Sequence, residues 1–237
     1  MNMHLEWGFF LRDIGDGKTS YLDWMISAWG WTLSVAGSAW VVALVFGAVI
    51  GTLRTVPNAW VANLANVWVE LFRNIPLLVQ IFLWYFVVPA IFPTLQQVPS
   101  FVMVVAALGF FTSARIAEQV RAGIQSLPRG QRYAAQALGL TLPQTYRFVL
   151  LPMAFRIVLP PLTSEAMNVI KNSSVAFAVS ISELTMFAMQ TQEETSRGIE
   201  VYLAVTGLYI ATTLVVNRIF AFIEGRVRVP GYVGGGK

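Results

Sequence analysis

The sequence predicts an all-α integral membrane protein with five transmembrane helices. Three observations carry this. Of the 237 residues, 56% are hydrophobic and only 12% are charged, about half the charged share of an average soluble domain. The apolar residues gather into runs long enough to cross a hydrocarbon core, which takes about 20 residues at a rise of about 1.5 Å each. The basic residues fall between those runs rather than in one patch, so the net charge of +4 describes membrane topology, and no nucleic-acid partner is expected. Cysteine is absent, which removes disulfides and thiolate metal sites as sources of stability.

Residues 1–20 form an N-terminal arm that mixes Glu6, Arg12, Asp13, Asp16 and Lys18 with Trp7, Phe9 and Phe10. It lacks the basic start and small-residue cleavage site of a secretory signal peptide, so it is expected in the mature chain. Two readings of the arm stand, an interfacial amphipathic segment and a disordered extension. Residues 21–225 form the transmembrane domain, with spans expected near 25–53, 75–92, 101–119, 157–181 and 201–222. Gly47 and Gly51 form a GxxxG pair in the first span, where the missing side chains let a neighbouring helix approach closely. Trp24, Trp29, Trp31, Trp60 and Trp68 lie near span ends, as expected of amphipathic rings at headgroup level. Pro89, Pro93 and Pro99 bracket an uncharged connector, read as a tight turn outside the lipid.

Orientation follows from lysine and arginine, which cytoplasmic loops retain. The loop at 121–156 carries Arg121, Arg129, Arg132, Arg147 and Arg156, and the tail at 226–237 carries Arg226, Arg228 and Lys237. The loop before the fifth span is acid-rich, with Glu183, Glu193, Glu194 and Glu200 against Arg197. Five spans with an outside N-terminus and a cytoplasmic C-terminus satisfy all of these loops.

The 121–156 loop is neither apolar enough to span nor polar enough to be disordered. A short helix is expected around 131–138, with Pro128 ahead of it and Gly139 supplying a φ > 0 residue at its end. Ala134, Ala135 and Ala137 leave that helix nearly bare, suited either to a groove in another protein or to an ordinary interfacial position.

The run GQRYAAQALGL at 130–140, followed by VLLPMAFRIVLPPLTSE at 149–165, resembles the EAA loop of ABC importer permeases of the polar amino-acid branch. ELFRNIPLLVQIFLWYF at 70–86 and NVIKNSS at 168–174 are similar to two further segments of that branch, and the ending VRVPGYVGGGK at 227–237 is similar to that of glutamate/aspartate transport permeases. The resemblance implies a type I importer permease fold with a cytoplasmic coupling helix between spans three and four. It implies Gly130, Tyr133, Ala134, Ala135, Leu138 and Gly139 as the surface that couples to an ATPase. Tyr133 departs from the pattern, standing where the motif has a glutamate. The implied partners are an ABC ATPase homodimer that binds ATP and Mg²⁺, a second and paralogous permease, a periplasmic amino-acid-binding protein, and lipid. No cofactor is expected in this chain, and its location is the bacterial inner membrane.

Enzymatic readings find no support in the residues. Gly17-Lys18-Thr19 is not a P-loop, because Arg12 stands where the pattern needs glycine. The sole histidine, His4, lies in the arm, and no metal-ligand cluster or nucleophile elbow is present. No catalytic residue is expected.

Cargo recognition is sought in ionisable residues inside the spans, since charge in lipid is costly and marks function by default. Arg115, Glu118, Glu165 and Lys171 qualify. Glu165, Asn168 and Asn172 recur at helical spacing, with Lys171 one turn from Asn168. This stripe is either a cargo cavity, with Lys171 offering positive charge, or a polar network that fixes packing. Ser173 and Ser174 join the candidate site through the similar NVIKNSS segment. Arg115, Glu118 and Arg121 follow at i,i+3 and form either a ladder of ion pairs or, through Arg115, a bidentate contact for a carboxylate. Arginine at 115 and asparagine rather than aspartate at 172 both favour an anion, so glutamate or aspartate is the expected cargo. The alternatives are another polar amino acid (glutamine, arginine or histidine) or a secondary transporter, for which no inverted repeat is evident.

Overall fold

The computed structural model describes residues 5–227, so His4 and the tail residues 228–237 lie outside the described residues. The chain forms α1 (Tyr21–Leu53), α2 (Ala59–Asn74), α3 (Leu77–Phe82), α4 (Val88–Ile91), α5 (Ser100–Gln125), α6 (Arg129–Ala137), α7 (Leu142–Thr145), α8 (Leu151–Asn172), α9 (Leu184–Thr195) and α10 (Gly198–Val227). α1, α5, the stretch Leu142–Val179 and α10 are each long and apolar enough to cross a membrane; α2 with Leu77–Ile91 makes a fifth crossing if that broken pair is one span. The expected second span is thus not one helix. Ile75 and Pro76 both adopt extended dihedrals, as a residue before proline prefers, and the chain then proceeds through α3, a π-helical turn at Leu83–Val87 and α4.

The chain divides into two compact units, each drawn from separated stretches of sequence. The first comprises residues 5–39, 76–108 and 168–215. Its core gathers Tyr21, Ala28, Leu184, Phe187, Ala188, Val201 and Val205, and it also takes in Phe9 and Phe10 from the arm. A 3₁₀ turn at Trp7–Leu11 leaves Phe9 only 1% exposed. Phe9 and Phe10 therefore anchor the arm in the fold, unlike a disordered extension. The Glu6 carboxylate bridges Arg12 and Arg197, and the Glu6 amide donates to Glu200 at 3.0 Å. Trp24 meets Phe187 edge-on at 5.1 Å, and the Trp29 indole donates to Thr212 Oγ1 at 2.9 Å. These two rings serve internal packing, where the sequence placed them at headgroup level.

α9 begins with a buried carboxylate. Glu183 is fully buried and accepts from the Thr185 and Met186 amides at 2.9 and 3.0 Å and from the Tyr209 hydroxyl at 3.0 Å. Two otherwise orphaned donors of the helix start are thereby satisfied. Burial pushes its carboxyl above the ordinary range, against the opposing pull of those hydrogen bonds.

The second unit comprises residues 40–75, 109–167 and 216–227, and its packing rests on glycines. A Cβ on Gly47 would lie 2.6 Å from Ile116 Cβ, and one on Gly51 would lie 2.7 Å from both the Ala117 carbonyl oxygen and Val120 Cβ. Two turns further along the same face of α5, a Cβ on Gly123 would lie 2.3 Å from Val158 Cγ2. The GxxxG pair thus works as expected, with α5 as its partner. Trp68 stacks on Phe46 at 5.6 Å, sits 5.1 Å edge-on from Phe110 and donates to Ser113 Oγ at 3.2 Å. It too packs internally. Below α5, Tyr146 and Leu150 join Ile124, Leu127 and Ala154 in a buried cluster, and the Tyr146 hydroxyl donates to the Thr55 carbonyl at 2.7 Å.

Two predictions follow from this packing. Gly51→Ala forces a methyl against backbone that cannot swing aside, and it lowers stability in detergent by about 1–3 kcal/mol. Gly207→Ala, with open space around its position, leaves the thermal midpoint in place and serves as the control. Glu183→Ala orphans two buried amides and costs about 1–3 kcal/mol. Because the folded pKa of Glu183 lies above the unfolded one, its stabilisation is complete below the unfolded pKa and is lost as pH rises through the folded value. Glu183→Gln keeps the acceptor without the charge, so thermal midpoints measured across the carboxylate range fall less with rising pH than in the parent.

Candidate coupling helix and cargo site

α6 matches the expected short helix within two residues. Pro128 occupies its N-cap position and fixes the entering dihedral. At the other end Gly139 has φ +84°, its amide bonds to the Gln136 carbonyl at 2.9 Å, and the Leu140 amide bonds to Ala135 at 3.1 Å. This pair of bonds is the Schellman ending, which needs a left-handed residue and so a glycine. Gly130, Tyr133, Ala134, Leu138 and Gly139 are exposed, with Tyr133 at 65% and Leu138 at 82%. Ala135 is the correction: it is buried within its own chain and presents nothing to a partner. Thr141 and Gln144 then form a capping box that starts α7.

In the same unit, Arg115 and Glu165 come together from positions fifty residues apart. Arg115 Nε donates to Glu165 Oε2 at 2.8 Å and Nη2 to Oε1 at 3.0 Å, while Gln119 Nε2 adds a third donor at 3.2 Å. The Arg115 side chain is 45% exposed and that of Glu165 is 6% exposed. One edge of the guanidinium is thus occupied by Glu165, and the pair is neutral as a whole. Desolvating Glu165 without this cation would be costly, and the fork geometry offsets that cost.

The expected Arg115–Glu118–Arg121 ladder does not form as one. Glu118 instead meets Arg54 at 2.9 Å and Arg73 at 3.4 Å, with Arg121 only at 4.0 Å. Arg54 is buried, and its Nε donates to Asn66 Oδ1 at 2.6 Å. The single glutamate of α5 therefore ties the residue that follows α1, Arg54, to the C-terminal end of α2 at Arg73. Sequence reasoning missed Arg54, since it lies outside the expected spans. Arg73 was visible only as part of the ELFRNIP segment.

In the first unit, Lys171 and Ser174 line a cavity of about 310 Å³ together with Thr185, Tyr202, Thr206 and Tyr209. It holds one cation, five hydroxyl groups and no carboxylate along its wall. The Tyr209 hydroxyl is directed at Glu183, behind the lining. Asn168 and Asn172 are half-buried in the last turn of α8. Ser173 is fully buried and donates to the Ile170 carbonyl at 2.7 Å, so its hydroxyl is spent on the backbone and is not offered to a ligand. The lining residues of α10 were missed. Their signal was present in the sequence, because Tyr202, Thr206 and Tyr209 recur at i, i+4 and i+7 within an apolar helix.

Against this geometry, residues 43–229 match the family described as binding-protein-dependent transport system inner membrane component. The glutamate/aspartate import permease protein GltJ of Escherichia coli K12 is 41% identical over 99% of this chain and 100% of the relative. The glutamine transport system permease protein GlnP of the same organism is 34% identical over 86% of this chain and 90% of the relative. Among solved structures, an amino acid ABC transporter with histidines superposes with a TM-score of 0.76 at 30% identity, covering 87% of this chain and 95% of that one. The inward-facing MetNI methionine ABC transporter gives 0.76 at 20% identity over 87% of this chain and 97% of that one, which bears on the fold alone. The helical architecture, the multi-pass character and the expected absence of an enzyme activity agree with these relatives, and the chain belongs to the family of inner-membrane components of binding-protein-dependent transport systems.

Proposed function

We propose that this chain is the transmembrane subunit of an ATP-driven importer that carries glutamate and aspartate across the inner membrane by alternating access. It is a permease of the amino-acid ABC importers. The observation that carries the cargo class is the Lys171 cavity, with one ammonium, several hydroxyls and no lining carboxylate. An acidic side chain or an α-carboxylate gains a charge-assisted hydrogen bond there, and a volume near the lower end of ligand pockets suits a single amino acid. Asn172 in place of aspartate keeps competing negative charge away. Full-length identity of 41% to a glutamate/aspartate import permease supports the same assignment. Likeness to a glutamine permease supports a second reading, a neutral polar amino acid.

ATP and Mg²⁺ belong to a separate ATPase homodimer, which grips α6 through Gly130, Tyr133, Ala134, Leu138 and Gly139. Closure of the ATPases moves the transmembrane helices as rigid bodies and alternates access to the cargo site. A paralogous second permease completes the translocation path, and a periplasmic binding protein delivers cargo. The positive loop at 121–156 supports a cytoplasmic α6, with residues 1–20 outside and the tail at 226–237 inside. Arg115 contributes through Glu165, its remaining guanidinium edge open beside a neutral pair.

Lys171→Met removes a charged donor worth about 1.5–3 kcal/mol, a loss of tenfold or more in apparent glutamate affinity. Glutamate-stimulated ATP hydrolysis by the reconstituted complex reads this directly; a variant with parental glutamate dependence would refute the Lys171 assignment, and a parental complex driven by glutamine alone would establish the second reading. Arg115→Ala leaves Glu165 buried without its cation and lowers both thermal stability and transport. Arg115→Met with Glu165→Leu restores stability, since apolar replacement of such a pair is tolerated. Transport that returns together with stability assigns the pair to packing, and transport that stays lost assigns it to cargo handling.

A further inference from the structure

Between Glu118 and Glu165 the chain carries Arg121, Arg129, Arg132, Arg147 and Arg156 and no aspartate, glutamate or lysine. Arg121 approaches Glu118 at the 4.0 Å limit of an ion pair, and Arg147 lies 5.5 Å from the Phe148 ring. Arg129, Arg132, Arg147 and Arg156 pair with no carboxylate among the described residues. α6 sits in the middle of this uncompensated positive field, with Arg129 and Arg132 on its first two turns.

The same helix exposes an apolar face. Gly130, Tyr133, Ala134, Ala137 and Leu138 follow at i, i+3, i+4, i+7 and i+8 and so lie on one side. All are exposed, and Tyr133 and Leu138 are among the most exposed large apolar side chains of the chain. Nothing lies within 4 Å of a Cβ built on Gly130 or Gly139. A nine-residue helix is too short to be a membrane segment, and its ends are pinned by Pro128 and the Gly139 ending. What it offers is a preorganised ridge with an aromatic ring and a leucine, bordered on the Tyr133 side by the exposed Arg129.

We infer that the ATPase groove receiving α6 has an apolar floor that seats Tyr133 and Leu138, and a carboxylate edge that faces Arg129, one turn before Tyr133 on the border of the exposed face. This rests on the ATPase-docking reading of α6 given above, and it specifies the partner's chemistry. An arginine-lined groove edge, the match for a glutamate at position 133, would meet only like charge here. Docking is consequently ionic at the rim, apolar at the centre, and weakened by salt.

The test uses the full complex, purified by a tag on the ATPase, with association measured by titrating ATPase onto the permease in nanodiscs of neutral lipid. Raising salt from 50 to 500 mM weakens association, and Arg129→Gln weakens it several-fold while flattening that salt dependence, whereas Arg132→Gln, on the far side of the helix, has the smaller effect. Tyr133→Phe retains affinity, Tyr133→Ala loses it, and Tyr133→Glu weakens association by adding an acid opposite the acidic rim. Circular dichroism of each variant confirms that the helical content is kept. Salt-independent association, or tighter binding by Tyr133→Glu, overturns the acidic rim while leaving docking intact. Failure of the parent to bind the ATPase overturns the docking reading itself. If the arginine variants bind ATPase normally and lose instead a dependence on anionic lipid, the positive field serves the membrane and the inference is wrong.

Discussion

Within the second unit, everything depends on how closely α5 can be approached. Lipid tails are as apolar as leucine, so helices in a bilayer gain no hydrophobic drive from meeting one another and must rely on shape and hydrogen bonds. Gly47, Gly51 and Gly123 supply the shape, since a single methyl at any of them would collide with a neighbour. That close seating fixes the register of α5, and the register in turn aims its polar groups. Arg115 and Gln119 reach Glu165, and Glu118 reaches Arg54 and Arg73. A one-residue slip would turn each of these by about 100° around the helix and leave charges facing hydrocarbon.

The ion pairs solve a different problem from the glycines. A carboxylate as sheltered as Glu165 is tolerated only because a guanidinium and an amide share its charge. Glu118 is more accessible and collects two arginines, one just past α1 and one in the last turn of α2. In the first unit the buried Glu183 is met without a cation, by two amides and a phenol hydroxyl, whereas the buried Glu200 has Arg197 at 3.6 Å. Lys171 is thereby left without a carboxylate in its cavity wall.

Much of the architecture was legible because lipid imposes simple rules on sequence. Run length gave the long helices, the GxxxG pair gave a close contact, and Pro128 with Gly139 gave α6 nearly to the residue. Local signals failed where a contact joins distant stretches. Nothing near Arg115 announces Glu165 fifty residues on, and helical spacing within α5 instead suggested a ladder with Glu118. Tryptophans near span ends suggested headgroup anchors, whereas Trp29 and Trp68 find hydroxyl partners inside the fold. The hydroxyls of α10 escaped notice because they are uncharged, although their spacing was regular. Ser173 was misjudged because a serine can turn its hydroxyl back onto its own helix, which a motif match does not reveal.

The packing of the arm also bears on how the protein is made. Phe9 and Phe10 leave the ribosome long before the side chains that shelter them, Leu184, Phe187, Val201 and Val205. For most of synthesis two phenylalanines have no seat in the fold. Joining the arm to the α9–α10 corner therefore waits until α10 has been made. Until then the lipid interface or an insertion factor must cover them. Glu6 then pairs with Arg12 and with Arg197 just ahead of α10, so that the arm becomes a clasp on the α9–α10 corner.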